Sequence, residues 1–471
     1  MRTECIPAQL EFQGVNRRAV VAAFDGGHLS SDGGALLLRE ADLRIGITRR
    51  LAQCFTDHRH QELIEHSVAE LVTQRLYGLA LGYEDLNDHD DLFRDPLLAL
   101  SVGKNDVEGQ RRRRASDHGK ALASSSTLNR LELTPEHAGT SSRYKKIVHH
   151  RELIEALLVD LFLDSYERAP EQIVLDFDAT DDPVHGTQEG RFFHGYYRCY
   201  CYLPLYVTCG DHVLVAHLRT SDRDAADGAT QTLARLVEHI RQRWPKVRII
   251  ARGDSGFARD EFMVWCEAHG VRYVLGLAKN QRLLQKIGNE LVQAQTRHQQ
   301  TGAAARVFTH FHWTTRSSWT RPRRVVAKAE HLDKGANPRF IVTNLEQTYA
   351  TPQELYEEVY CARGDMENRI KEQQLDLFAD RTSAHTIRAN QLRLWFSTFA
   401  YTLLAAMRRV ALQGTRLAQA TCGTIRLKLL KLGAQVRISV RRFIVHFASA
   451  CPYQDVFRQA YRNLQRHPMR C

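Results

Sequence analysis

The sequence predicts an α/β fold, a mixed sheet with flanking helices that is interrupted by a β-rich insertion and preceded by a helical region. Three observations predict it. Between residues 173 and 277, short apolar runs and amphipathic stretches follow in the order strand, strand, strand, helix, strand, helix, strand. A Gly210-Asp211 turn joins the second and third runs as a hairpin, so the sheet is of mixed direction. Residues 281–350 then break the pattern with a Gln-rich polar helix and three β-like runs, 307–313, 324–328 and 340–343.

Taken in order, the first twenty or so residues read as irregular. Helical periodicity begins after Gly33-Gly34 and returns over 63–81, closed by Gly82. Asp85, Asp88, Asp90, Asp91 and Asp95 are bunched in a turn-rich segment, the usual setting of solvated turn and cap residues. Residues 103–106, Arg111, Arg112, Arg113 and Arg114, and the serines 124–126 mark a flexible basic connection. Four successive arginines cannot all bury, so they form either a solvated loop or an arm that contacts phosphates, and the overall charge favours the arm.

From residue 146 an amphipathic helix runs to Tyr166, and Pro170 closes it. The strand 173–178 ends in two carboxylates, Asp176 and Asp178. Residues 200–209 and 213–218 make the hairpin. The helix 229–244 stops at Pro245, and the strand 247–251 leads into Gly253-Asp254-Ser255-Gly256. Asp260 can cap a helix ending at Gly270. Residues 354–371 read as one helix with Tyr356, Tyr360, Arg363, Glu367 and Lys371 on one stripe. The apolar run 394–407, fourteen residues long, is shorter than the ~20 that span a bilayer and reads as a buried helix.

These elements divide the chain into four parts: a largely helical N-terminal region (1–145), a split sheet domain (146–280 and 351–410), the β-rich insertion (281–350) and a basic C-terminal region (411–471). At 471 residues there is ample chain for two or three domains. Lys and Arg number 65 against 54 Asp and Glu, a net +11 that favours a polyanionic partner. The ten cysteines include no CxxC pair, which excludes a zinc ribbon and a thioredoxin-like motif. Cys54, His58, His60 and His66 lie in a polar stretch without a second cysteine pair, a poor zinc site. Scattered thiols and the lack of a signal peptide point to a reducing, cytoplasmic setting.

Asp178, Asp254 and Glu367 come from three separate elements, which is what a pair of hard divalent cations requires. Oxygen ligands suit Mg²⁺, with Mn²⁺ as a substitute, and two ions about 3.5–4 Å apart can hold the attacking and leaving oxygens of a phosphodiester in line. Asp176 shares a strand face with Asp178, so either could be the first ligand; Asp178, next to Ala179-Thr180, is preferred.

Three segments carry a family resemblance: Leu175-Asp176-Phe177-Asp178-Ala179-Thr180, Gly253-Asp254-Ser255-Gly256-Phe257, and Tyr360-x2-Arg363-x3-Glu367. In this order the chain resembles a DDE transposase of the bacterial insertion-sequence type, with an RNase H-like catalytic domain and a β-strand insertion ahead of its glutamate. The lysine of the Tyr-Arg-Glu-Lys signature would fall on Gln374, and Lys371, one turn earlier, takes its place. The resemblance implies cleavage of the ends of a mobile element and joining of their 3′-hydroxyls to target DNA. It implies double-stranded DNA as the partner, a homodimer on DNA, and a place at the bacterial nucleoid. It also implies phosphate contacts from Tyr360, Arg363 and Lys371, and stacking of a flipped base on Trp313 or Trp319.

Three other readings compete. An RNase H-like nuclease would share the triad without joining strands, and a retired transposase would bind DNA only. An aspartyl-phosphate phosphatase would use Asp176 as nucleophile, but it needs a sheet that continues in parallel, where the hairpin stands here.

Overall fold

The computed structural model describes residues 9–467, so residues 1–8 and 468–471 of the two expected terminal regions lie outside the described residues. The chain forms two compact units, one of residues 149–402 and one combining 9–148 with 403–467.

The first unit is built on a nine-stranded sheet. Its strands along the path are β1 (Gln172–Ala179), β2 (Leu205–Cys209), β3 (His212–His217), β4 (Arg248–Gly253), β5 (Arg272–Leu277), β6 (Ala305–Trp313), β7 (Arg323–Leu332) and β8 (Arg339–Thr343). The order is β3-β2-β1-β4-β5-β8-β7-β6, with the two-residue strand Gly335–Ala336 beside β7. β1, β2 and β3 are antiparallel neighbours, whereas β4 is parallel to both β1 and β5. This 3-2-1-4-5 arrangement is the expected RNase H-like sheet. The helices α1 (Arg151–Asp164), α2 (Ala229–Arg243) and α3 (Asp260–Ala268) precede β1, β4 and β5. The antiparallel β2 beside β1 is incompatible with the phosphatase fold.

Strand alternation sorts the side chains onto two faces. Ile173, Leu175 and Phe177 join the large apolar cluster that buries Phe162, Leu233, Ile240, Phe262 and Met263. The opposite face carries Val174, Asp176 and Asp178 from β1, and Ile250 and Arg252 from β4. A second cluster forms there, where Ile250, Val274, Val326 and Ile341 meet Leu355 and Tyr356. The two acid-bearing positions of β1 are therefore set under the chain segment that follows residue 352.

The insertion does not fold away from the sheet. β8 pairs with β5, β7 with β8 and β6 with β7, so the insertion extends the main sheet by its free edge. An unpaired edge of N–H and C=O groups is thereby covered.

In the other unit, the region expected to be irregular forms an antiparallel hairpin, Leu10–Val15 with Arg18–Ala22. Asn16, which tolerates the left-handed conformation better than most residues, turns it at φ 59°. The helix Val68–Leu81 opens on a Ser67/Glu70 capping box and closes on Gly82 at φ 96°. The clustered aspartates act locally: Asp95 caps the helix Pro96–Val102, and Asp90 accepts from the backbone and hydroxyl of Ser125. The strands Leu29–Ser30, Ala434–Ile438 and Phe443–Phe447 form one sheet, so early and late parts of the chain share this unit. Among the described residues, no helix is long and apolar enough to cross a membrane.

Candidate active site

The site lies at the C-terminal ends of β1 and β4. Asp178 stands near the end of β1, and Asp254 follows β4 directly, its carboxylate accepting from the Gly256 amide at 2.8 Å. Both are half-buried. Glu367 is on α4 (Gly364–Lys371), with 45% of its side chain exposed.

Arg363 links these groups. Its guanidinium donates to Glu367 at 2.9 Å and lies 3.7 Å from the Asp178 carboxylate. Burial works against its charge, but Asp178, Glu367 and Asp254 together with Tyr360 hold its proton more tightly. Asp178 shows the reciprocal effect. Its carboxyl is pushed up to about 6, by burial first, with Asp254 and Glu367 adding to the rise and Arg363 opposing it. The structure thus brings Asp178, Asp254, Glu367 and Arg363 into one electrostatic neighbourhood.

Tyr360 completes the group from above. A Cβ added to Gly276 on β5 would come within 2.7 Å of the Tyr360 hydroxyl and 2.8 Å of the Ser255 amide. The bare glycine lets the phenol and the Asp254-Ser255 backbone meet over the sheet.

The donors suit a hard cation: they are carboxylate oxygens whose mutual repulsion Arg363 offsets only in part. As they stand, no three His, Cys, Asp or Glu side chains among the described residues form a ready metal cage. Arg363 supplies the positive charge at that point, and a cation there requires its guanidinium to turn aside.

Asp176 has a different job. Its carboxylate is buried and takes a two-pronged contact from Arg252, its register neighbour on β4, through Nε and, at 2.7 Å, through Nη2. The remaining Arg252 nitrogen, Nη1, donates to the Val359 carbonyl. One guanidinium therefore ties β1, β4 and the segment carrying Glu367, and Asp176 is not free to act as a nucleophile.

The segment 352–376 is helical throughout but not one α-helix. Residues 355–360 and 372–376 form wider π turns, and 361–363 a tight 3₁₀ turn. Each change of register rotates the stripe expected from α-helical spacing. Tyr356 is buried against Phe308 and Lys371 points to solvent. Gln374, at the position where the signature lysine would fall, donates to the Asp181 carbonyl at 3.2 Å. Arg306 braces the segment from the insertion, bonding Glu330 at 2.7 Å and Glu357 at 3.0 Å.

The remaining expected DNA contacts are placed elsewhere. Trp319 is buried in the main apolar cluster, and its ring cannot accept a base as it stands. Trp313 packs against the same cluster with the Arg282 guanidinium 4.5 Å from its ring centre. The run 111–114 is not a free arm. Arg112 pairs with Glu65 at 2.9 Å and contacts His66, while Arg113 bonds Glu65 and the Glu62 carbonyl. Arg111 and Arg114 are exposed. Burial and nearby cations push His66 down to about 2, so it serves as a neutral partner there.

Tyr197 was not expected at the site. It lies in the turn between two short strands, Phe192–His194 and Cys199–Tyr202. Burial and the charges of Asp181, Asp178 and Asp254 push its phenol up to about 12. Its signal in the sequence is the aromatic run 192–202, which reads there as strand packing.

The position of Asp178 has a measurable consequence for stability. Its folded pKa of about 6 exceeds the unfolded value, so the folded state binds the proton more tightly. The resulting stability is full below about pH 4 and is lost as pH rises through 6. Asp178→Asn is therefore expected to stabilise the metal-free protein at pH 8 by on the order of 2 kcal/mol, with the gain vanishing near pH 4. Melting curves in a chelator across this range test it; a variant less stable than wild type at pH 8 would show that Asp178 ionises there without penalty.

Among solved structures, the chain is similar to the piggyBac transposase in a synaptic complex with hairpin DNA, at 11% identity over 84% of this chain and 79% of that one, with a TM-score of 0.42. No curated protein matches it. The family described as transposase DDE domain group 1 matches residues 12–469, nearly the full length, and the chain accordingly belongs to that transposase family.

Proposed function

We propose that this protein cuts the ends of its own mobile element and joins the freed 3′-hydroxyls to target DNA, using Asp178, Asp254 and Glu367 as ligands for two divalent ions, Mg²⁺ or Mn²⁺. The observation that carries this reading is the contact of Arg363 with Asp178 and Glu367, with Asp254 near enough to raise the Asp178 carboxyl, in a chain of the DDE transposase family. Bound divalent ions would supply Lewis acidity and an activated water or hydroxyl nucleophile.

The chain's own residues then have defined tasks. A scissile phosphate entering the site offers Arg363 a better partner than the carboxylates, and its planar fork suits phosphate oxygens. Its departure frees Asp178 and Glu367 to act as ligands. Tyr360, braced over Gly276, holds a phosphate oxygen beside Asp254. Arg252 keeps the three acid-bearing elements in register. The partner is double-stranded DNA, and two copies of the chain act on two ends as a homodimer. Exposed Arg111 and Arg114 and the basic residues after 411 contribute the non-specific phosphate contacts.

The test uses the DNA that flanks the gene. With Mg²⁺, the purified protein is expected to nick at the inverted repeats and to join those ends to a target plasmid; chelation abolishes both. Nicking without joined product would favour a simple nuclease, and binding without nicking would favour a retired transposase.

A further inference from the structure

A short aromatic hairpin stands beside the carboxylates, and nothing in the cleavage scheme uses it. Phe192–His194 pairs antiparallel with Cys199–Tyr202. Its stem is fixed to the end of the catalytic strand, because Asp182 and Pro183, a few residues past Asp178, pair with Tyr202 and Cys201. The Ser221 hydroxyl donates to the Phe192 carbonyl at 3.0 Å, which secures the other side. At the tip, Tyr197 is within electrostatic reach of Asp178 and Asp254. The hairpin is therefore firmly based and next to the cutting site.

Its outward side chains are large rings. Phe193 is 58% exposed, Tyr200 48% and Tyr196 84%. Phe193 and Tyr200 face each other across the strands with ring centres 5.6 Å apart, edge to face, and the Arg191 guanidinium lies 4.8 Å from the Tyr200 centre. Arg198 at the tip is exposed and adopts a left-handed backbone, φ 57°, which residues other than glycine rarely take up. Residues 191–202 include two arginines and a histidine but no acid. Exposed rings with positive charge and no negative charge match the faces of nucleobases joined by phosphates. A duplex hides its base faces, so the complementary ligand is unpaired.

We propose that this hairpin is a stacking platform for unpaired nucleotides at the DNA end, with Phe193, Tyr196 and Tyr200 receiving bases and Arg198 a phosphate. The proposal rests on the reading that the neighbouring carboxylates cut DNA. It moves the base-stacking role from the tryptophans of the insertion, one buried and the other packed under Arg282, to rings that are open.

The experiment uses the full chain and two versions of its end DNA, one blunt and one with a short unpaired tail carrying 2-aminopurine, without divalent metal. Wild type is expected to bind the tailed end more tightly and to quench the probe. Tyr196→Ala and Phe193→Ala should each weaken tail binding by about 5- to 100-fold and remove quenching, leaving blunt-end binding unchanged. Tyr196→Phe, which keeps the ring, should behave as wild type. A Phe193→Ala/Tyr196→Ala protein that binds and quenches the tailed probe within twofold of wild type would overturn the platform. So would a change in oligomeric state with tail binding intact, because the rings would then contact a second copy. The readout needs no cutting: quenching by a protein that never cleaves its ends counts against the transposase reading and not against the platform.

Discussion

Asp178→Asn, Asp254→Asn and Glu367→Gln are each expected to lower DNA cleavage by about 10³-fold or more while leaving binding of the ends within about twofold. Each substitution removes one negative charge and keeps the side-chain shape. Loss of a ligand that stabilises transition-state charge by about 4 kcal/mol corresponds to that factor. Binding should survive because DNA affinity comes from the arginines and lysines. Removing a carboxylate beside a phosphate even lessens repulsion. Single-turnover cleavage with labelled ends and a gel-shift titration measure the two quantities. A variant that cuts at the wild-type rate would remove its residue from the metal-binding set.

Arg252→Met is expected to destabilise the protein by about 3–5 kcal/mol, because it leaves the Asp176 carboxylate buried without its guanidinium. It also withdraws a donor from the Val359 carbonyl. Arg252→Met combined with Asp176→Leu should recover most of that loss, as buried ion pairs replaced by apolar groups of similar volume are often neutral. Stability and activity should then part company. The double variant keeps its fold but lacks the tie between β1, β4 and the segment carrying Glu367. A misplacement of about 1 Å costs about 10²-fold in rate, so it is expected to cut poorly. Urea unfolding and cleavage rates on the same preparations read both. A single Arg252→Met variant as stable as wild type would show that the pair holds nothing together.

What the sequence made legible follows from what side-chain patterning can encode. The core strands and the carboxylates at their ends were visible because apolar runs stop at Asp178 and at Gly253-Asp254. The partners of the insertion strands were not, because a strand pattern says nothing about which edge it joins. Residues 200–209 read as one strand, yet Pro204, which has no N–H to give a ladder, divides the run into Cys199–Tyr202 and Leu205–Cys209 on different sheets. The stripe of 356–371 assumed a single helical period. Packing of Tyr356 under the insertion and the Arg252 bond to Val359 accompany the change of register, and neither is a local property of the segment. Asp176 and Asp178 were equivalent by alternation; what distinguishes them is that Arg252 occupies the Asp176 carboxylate while Arg363 lies beside that of Asp178. The arginine run looked free because its partners, the Glu65 carboxylate and the Glu62 carbonyl, lie some fifty residues earlier.

The central claim, that Asp178, Asp254 and Glu367 become a metal site when DNA engages Arg363, is tested most directly by counting Mn²⁺ bound to the protein in the presence and absence of its DNA end. Electron paramagnetic resonance of free Mn²⁺ gives the count. The expected result is about two ions taken up per active site with DNA, weaker uptake without it, and loss of at least one ion in Asp178→Asn. Uptake by Asp178→Asn equal to that of wild type, or uptake that ignores DNA altogether, would contradict it.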